Sequence, residues 1–205
     1  MAEHNLKNGS IIAVTRAKLA LDRILKQYPG TENGELPALL LLAKMERQNA
    51  EKAANAKERA LFYTFAYKYY KLAYDQYPTS DSAGIARMGQ ADMSLALGDA
   101  TSAILIYRDI LKFSRRSPSA QAEATFKVGK SYYEQGHVEK AFPYFEATYV
   151  KYQRFTNWAA QGMLYHARSL KHLGHESDAK NVIRVALQNS SIRKTEWFSA
   201  LQNEL

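Results

Sequence analysis

The sequence predicts an all-α chain: an α-α superhelix, or solenoid, of antiparallel helix pairs closed by a C-terminal capping helix. Three observations carry this. Gly98, Gly136 and Gly174 stand 38 residues apart, and Ala103, Ala141 and Ala179 keep the same step, as do Tyr107, Phe145 and Ile183 and the small residues Ala91, Gly129 and Ala167. A period of about 20 to 50 residues marks stacked units, each too small to bury a core alone. Elsewhere apolar residues recur every three or four positions, as on one face of a helix, and no segment alternates with the period of two that a half-buried strand shows.

Taken in order, residues 1–9 are polar and expected to fray. A helix follows from Ser10, its N-cap, to about Gln27, with Ile11, Val14, Ala17, Leu21 and Leu25 on one face. Tyr28-Pro29-Gly30 stops it, because proline cannot continue a helix and glycine accepts the turn. After a loop over Thr31 to Glu35, residues from Pro37 to Tyr77 are helical, and Lys44 to Glu58 is rich in strong helix formers. A break near Asn55 is expected to divide this stretch into two antiparallel helices, although one long helix also fits. Tyr63, Tyr67, Tyr70, Tyr74 and Tyr77 recur at steps of four and three, the spacing of a seam that packs one helix on another.

Tyr77-Pro78-Thr79-Ser80 ends that helix. The three repeats then give helices over 82–97, 100–114, 119–135, 138–153, 156–173 and 176–189, each pair turning at its glycine. Asn189-Ser190-Ser191 breaks the pattern, and a last helix from about Arg193 to Asn203 is expected to cover the open end with Trp197, Phe198 and Leu201. Residues 1–205 thus form one solenoid: divergent helices over 10–80, repeats over 82–189 and a cap over 190–205.

These repeats resemble tetratricopeptide repeats, whose pattern runs W-x2-L-G-x2-Y, then A-x3-F, then P. The middle copy has Val128-Gly129-x2-Tyr132 and Ala141-x3-Phe145; the first has Ala91 and Ala103-x3-Tyr107; the third has Ala167-x2-Leu170 and Ala179-x3-Ile183. Ala17-x3-Leu21 leading to Pro29, and Ala66-x3-Tyr70 leading to Pro78, repeat the second half of the pattern. Residues 10–29 therefore resemble the second helix of a pair whose first helix is missing, which suggests a piece of a longer protein. The sequence departs from the pattern at the tryptophan, where Arg87, Thr125 and Met163 stand, and in its 38-residue step. Lengthened repeats with Tyr-Pro-x-Ser at a helix end are similar to bacterial envelope members of the superfamily, of the Tol–Pal coordinator and outer-membrane-assembly lipoprotein types. That resemblance, with the absence of cysteine, favours the periplasm over the cytoplasm.

The resemblance implies a protein–protein interaction scaffold whose first helices line a concave groove. Three columns project into it: Met88, Phe126 and Leu164; Asp92, Lys130 and Arg168; Leu95, Tyr133 and Lys171. An apolar floor with a polar rim suits an extended peptide or a partner helix, and Lys130 and Arg168 suit a carboxylate or phosphate. Solvated side chains paired with acids of their own helix are the alternative for these two. Chaperone-binding members hold a C-terminal carboxylate with lysine and asparagine; Asp92, Lys130 and Arg168 at the matching positions speak against that ligand.

Bulk composition narrows the classes further. Twenty-eight basic residues against 20 acidic give a net charge of +8, which favours acidic partners. The chain has no cysteine, so it has no disulfide, thiolate metal site or thiol nucleophile. The apolar run from Leu36 to Ala43 falls short of the roughly 20 residues a membrane-spanning helix takes. His172-x2-His175-Glu176 is the best metal-like spacing, but Gly174 at a helix turn separates the imidazoles. With no Gly-rich phosphate loop, nucleophile elbow or H-E-x-x-H motif, no catalytic residue, cofactor or metal is expected, and the reading is not that of an enzyme. Two other classes stay open. One is nucleic-acid binding, motivated by the charge and by Tyr67-Lys68-Tyr69-Tyr70-Lys71; the other is a structural segment of a larger or homo-oligomeric scaffold.

Overall fold

The computed structural model describes residues 11–113 and 117–205. Ser10, the expected N-cap, lies outside the described residues, as do residues 1–9 and 114–116. Among the described residues there is no strand. The helices are α1 (Ile11–Gln27), α2 (Glu35–Lys52), α3 (Ala56–Gln76), α4 (Ala83–Ala96), α5 (Ala100–Phe113), α6 (Pro118–Glu134), α7 (Val138–Lys151), α8 (Thr156–His172), α9 (Glu176–Gln188) and α10 (Phe198–Gln202), with a 3-10 turn at Ile192–Lys194. The chain is all-α, and within each of its two compact units the helices pack on their neighbours in sequence, as in an α-solenoid at its coarsest.

Local chemistry explains the breaks. Asn55 caps α3: its side chain accepts from the Glu58 N–H at 2.9 Å, and the Glu58 carboxylate accepts from the Ala54 N–H at 3.1 Å, close to a reciprocal capping box. Residues 37–77 are therefore two helices. The three glycine turns are chemically identical. Gly98, Gly136 and Gly174 take φ of +86°, +78° and +84°, a region costly for any residue with a Cβ. Each is followed by the bond pattern of a Schellman motif: Asp99 to Ser94, His137 to Tyr132 and His175 to Leu170, at 2.9, 2.9 and 2.8 Å.

Two compact units divide the chain between Ala103 and Ile104, inside α5. In the first, α2 packs against α1 and α3, and α3 against α4. Leu36, Leu39, Ala73 and Ala86 form one core cluster, and Ala43, Ala66, Tyr70 and Met93 another. The tyrosine stripe is the seam between them: Tyr63, Tyr67 and Tyr69 close over the second cluster, and Tyr74 and Tyr77 over the first. Polar ends are satisfied across the seam, Tyr77 donating to Glu35 at 2.9 Å and Gln90 to Tyr67 at 3.1 Å. Buried Glu46 is the first unit's one costly core charge among the described residues, held by Lys18 at 3.1 Å and Asn49 at 3.2 Å.

In the second unit, α7 packs between α6 and α8, α6 touches α8, and α9 lies on α8. The repeated columns run through its core: Ala141 and Ala179, like Tyr107, Phe145 and Ile183, are wholly buried. Small residues set the helix spacing. A Cβ on Gly129 would meet the Phe145 ring at 2.9 Å, and one on Gly162 the Phe145 carbonyl at 3.0 Å. Buried hydroxyls cost little, since Thr125, Ser131, Thr148 and Ser169 each donate to the carbonyl four residues back, at 2.7 to 2.8 Å.

The C-terminal element differs from the single helix expected over 193–203. Asn189 accepts from the Ser191 and Ile192 N–H groups and starts the 3-10 turn, Thr195 is extended, and only Phe198–Gln202 is α-helical. Leu201 and Ile192 are nevertheless fully buried against Ala160, Leu164, Ile183 and Ala186, with Trp197 packed beside them.

Candidate interaction surface

Six of the nine expected groove residues lie in the second unit, on α6 and α8. Phe126, Lys130 and Tyr133 share one face of α6, and Leu164, Arg168 and Lys171 one face of α8, because steps of three and four return to the same side of a helix. The expected apolar floor is closed into the core: Phe126 is 3% exposed and Leu164 1%. Half-buried Tyr133, Trp158 and Tyr165 take its place at the surface. The Phe126 ring centre lies 5.7 Å from Trp158 and 5.4 Å from Tyr165, and Tyr133 meets Tyr165 edge-on at 5.6 Å. Tilted and edge-to-face contacts of this kind hold each ring in place. The result is a rigid aromatic platform.

Three cations border it. Lys130 bridges to Glu134 one turn on, at 3.4 Å, an exposed pair of the kind worth about 0–1 kcal/mol and easily exchanged for another partner. Arg168 sits over the Tyr165 ring at 5.3 Å and donates from Nε to Glu204 at 2.6 Å. Lys171 donates to the other carboxylate oxygen of Glu204 at 3.0 Å and to its main-chain carbonyl at 2.6 Å. Partial burial pushes the Glu204 carboxyl up, but the hydrogen bonds and charges of Arg168 and Lys171 outweigh it, leaving the group below its ordinary range. Arg168 is thus paired with an acid of the capping segment, and only Lys130 with one of its own helix.

The other three expected residues lie on α4 of the first unit. Met88 is buried there, while Asp92 and Leu95 are half-buried. Trp158, Tyr165 and Glu204 were not among the expected groove residues. Trp158 and Tyr165 were legible, since they precede Arg168 by ten and three residues on the same helical face. Glu204 was not, because nothing in the sequence ties it to α8.

The other sequence candidates lie elsewhere. Tyr70 of the lysine–tyrosine stretch is buried, and Tyr67 and Tyr69 are half-buried in the seam. His172 and His175 are exposed on either side of the Gly174 turn, and among the described residues no three His, Asp or Glu side chains group as metal ligands. His166 is buried against the rings of Phe142 at 4.3 Å and Tyr149 at 5.4 Å, with Nδ1 unpaired; burial pushes its imidazole down, and Glu146 opposes this only in part. No described helix is long and apolar enough to cross a membrane. The chain matches no protein-family model, and no curated protein is significantly similar to it.

Proposed function

We propose that the protein is a non-catalytic interaction scaffold of tetratricopeptide-like helix pairs, and that the α6–α8 face of its second unit binds an acidic peptide segment of a partner protein. The observation that carries this is the juxtaposition of Tyr133, Trp158 and Tyr165 with Lys130, Arg168 and Lys171. Tyrosine, tryptophan and arginine are the side chains that contribute most to protein interfaces; the aromatics bury large areas at small entropic cost, and arginine offers a planar fork of donors. Lysines at the rim steer an acidic partner and fix its register. The net charge of +8 points the same way.

Binding to nucleic acid is the weaker reading, since the tyrosines that motivated it are used in helix packing. Capture of partners from lysate on the wild-type chain and on Lys130→Glu/Arg168→Glu tests the proposal. A protein retained by wild type alone, with equal helicity in both chains, supports it. Equal retention removes the face as the binding site.

A further inference from the structure

We propose that Arg168 and Lys171 form a carboxylate subsite and that Glu204 is its built-in occupant, so that an acidic partner segment must displace the capping segment's own glutamate to bind. This rests on the scaffold reading and adds the ligand chemistry and control of that face. The geometry is that of a bound residue rather than a stray ion pair. Two cations on successive turns of α8 converge on one carboxylate, and Lys171 also takes the main-chain carbonyl of the same residue. Glu204 occupies only Nε of Arg168, whereas a guanidinium can offer a carboxylate two parallel bonds. An incoming glutamate supplies the same carboxylate and carbonyl, and gains that second bond.

The occupant is replaceable because the cap does not depend on it. Ile192, Leu201 and Trp197 already anchor the segment in the core. Beyond α10, Asn203 and Leu205 are exposed; the backbone of this turn is tied to α10 by hydrogen bonds from Asn203 to Ser199 and from Glu204 to Leu201, at 3.2 and 3.1 Å, so the Glu204 side chain can leave the two cations without the cap coming apart. Arg168 and Lys171 keep side-chain exposures of 37% and 30%, which leaves a competitor access to both. A site competent only when open binds with an affinity reduced by its open fraction.

The test is titration of fluorescein-labelled octaglutamate into the full chain, with octalysine and inorganic polyphosphate as comparisons. Glu204→Gln removes the charge but keeps the shape, and it should bind octaglutamate about tenfold tighter than wild type. Adding Arg168→Ala and Lys171→Ala to that variant should remove the gain. NMR of the wild-type chain reads displacement without a variant: saturating octaglutamate should move the Glu204 and Leu205 amide signals towards random-coil positions. Equal affinity in wild type and Glu204→Gln, a gain that survives loss of both cations, or Glu204 and Leu205 signals that stay in place at saturation would each overturn the built-in occupant. Polyphosphate binding to Glu204→Gln as tightly as octaglutamate would overturn the carboxylate class. If octaglutamate binds neither chain while Lys130→Glu/Arg168→Glu still loses a captured partner, this proposal fails and the scaffold reading stands.

Discussion

Phe145→Ala is the most demanding test of the second unit's packing. Phe145 is wholly buried, and its ring lies 5.8 Å from Phe126, 6.0 Å from Tyr133 and 5.3 Å from Tyr165. The absent side chain of Gly129 gives the ring room on α6, and Gly162 lets α8 approach the Phe145 main-chain carbonyl and Thr148. Those neighbours sit on two other helices, α6 and α8, so truncation leaves a space between three elements. Removing a buried phenylalanine costs about 3–5 kcal/mol, and more when the cavity persists. Against a total of roughly 5–15 kcal/mol for a domain, the second unit becomes marginal. At about 4–8 °C per kcal/mol for a unit of this size, the melting temperature should fall by at least about 12 °C. Urea unfolding followed by circular dichroism measures the loss directly. A loss below about 1 kcal/mol would mean that Phe145 does not fill the junction of α6, α7 and α8.

Two further perturbations probe separate parts of the chain. In Gly89→Ala, the added Cβ would stand 2.5 Å from Cζ of buried Tyr70. The gain of about 1 kcal/mol in helix propensity is outweighed by overpacking of about 1–3 kcal/mol, so melting should show net destabilisation of the first unit, and a stabilised variant would contradict the seam. His166 is held neutral by burial, so its folded pKa lies below the unfolded value of 6.5. The unfolded chain then binds the proton first, and stability should fall as pH drops below about 6.5 until the depressed folded pKa is passed. Urea midpoints for His166→Phe should be flatter between pH 7 and pH 5 than those of wild type; parallel curves would show that the imidazole is not sequestered. The Glu204 carboxyl, depressed below 4.5, contributes above that value and loses its contribution in a separate, more acidic window.

How much was legible from the residues depended on whether the cause was local. The repeat glycines, the proline stops and the Asn55 cap act within a few residues, and the helix ends follow them closely. The alanine and aromatic columns were readable because a 38-residue step repeats one packing problem. The helix through Pro143 also follows its repeat register, since Ala141, Phe145 and Thr148 remain buried on either side of a residue that disfavours a helix interior. Two things were not readable. One is depth: spacing placed Phe126 and Leu164 on the groove face but could not say that Trp158 and Tyr165 would pack over Phe126, or the C-terminal segment over Leu164. The other is the cap, where Thr195 divides the expected helix and brings Glu204 back onto α8, a contact across more than thirty residues with no periodic signal.

If the α6–α8 face, with its aromatic platform and cations, is where a partner binds, reversing its charges must release that partner. The most direct measurement is affinity capture from lysate on wild type beside Lys130→Glu/Arg168→Glu, with circular dichroism on both. A protein retained by wild type and lost from the variant, released by octaglutamate and insensitive to nuclease, is the expected result. The same protein retained equally by both chains at equal helicity would contradict it.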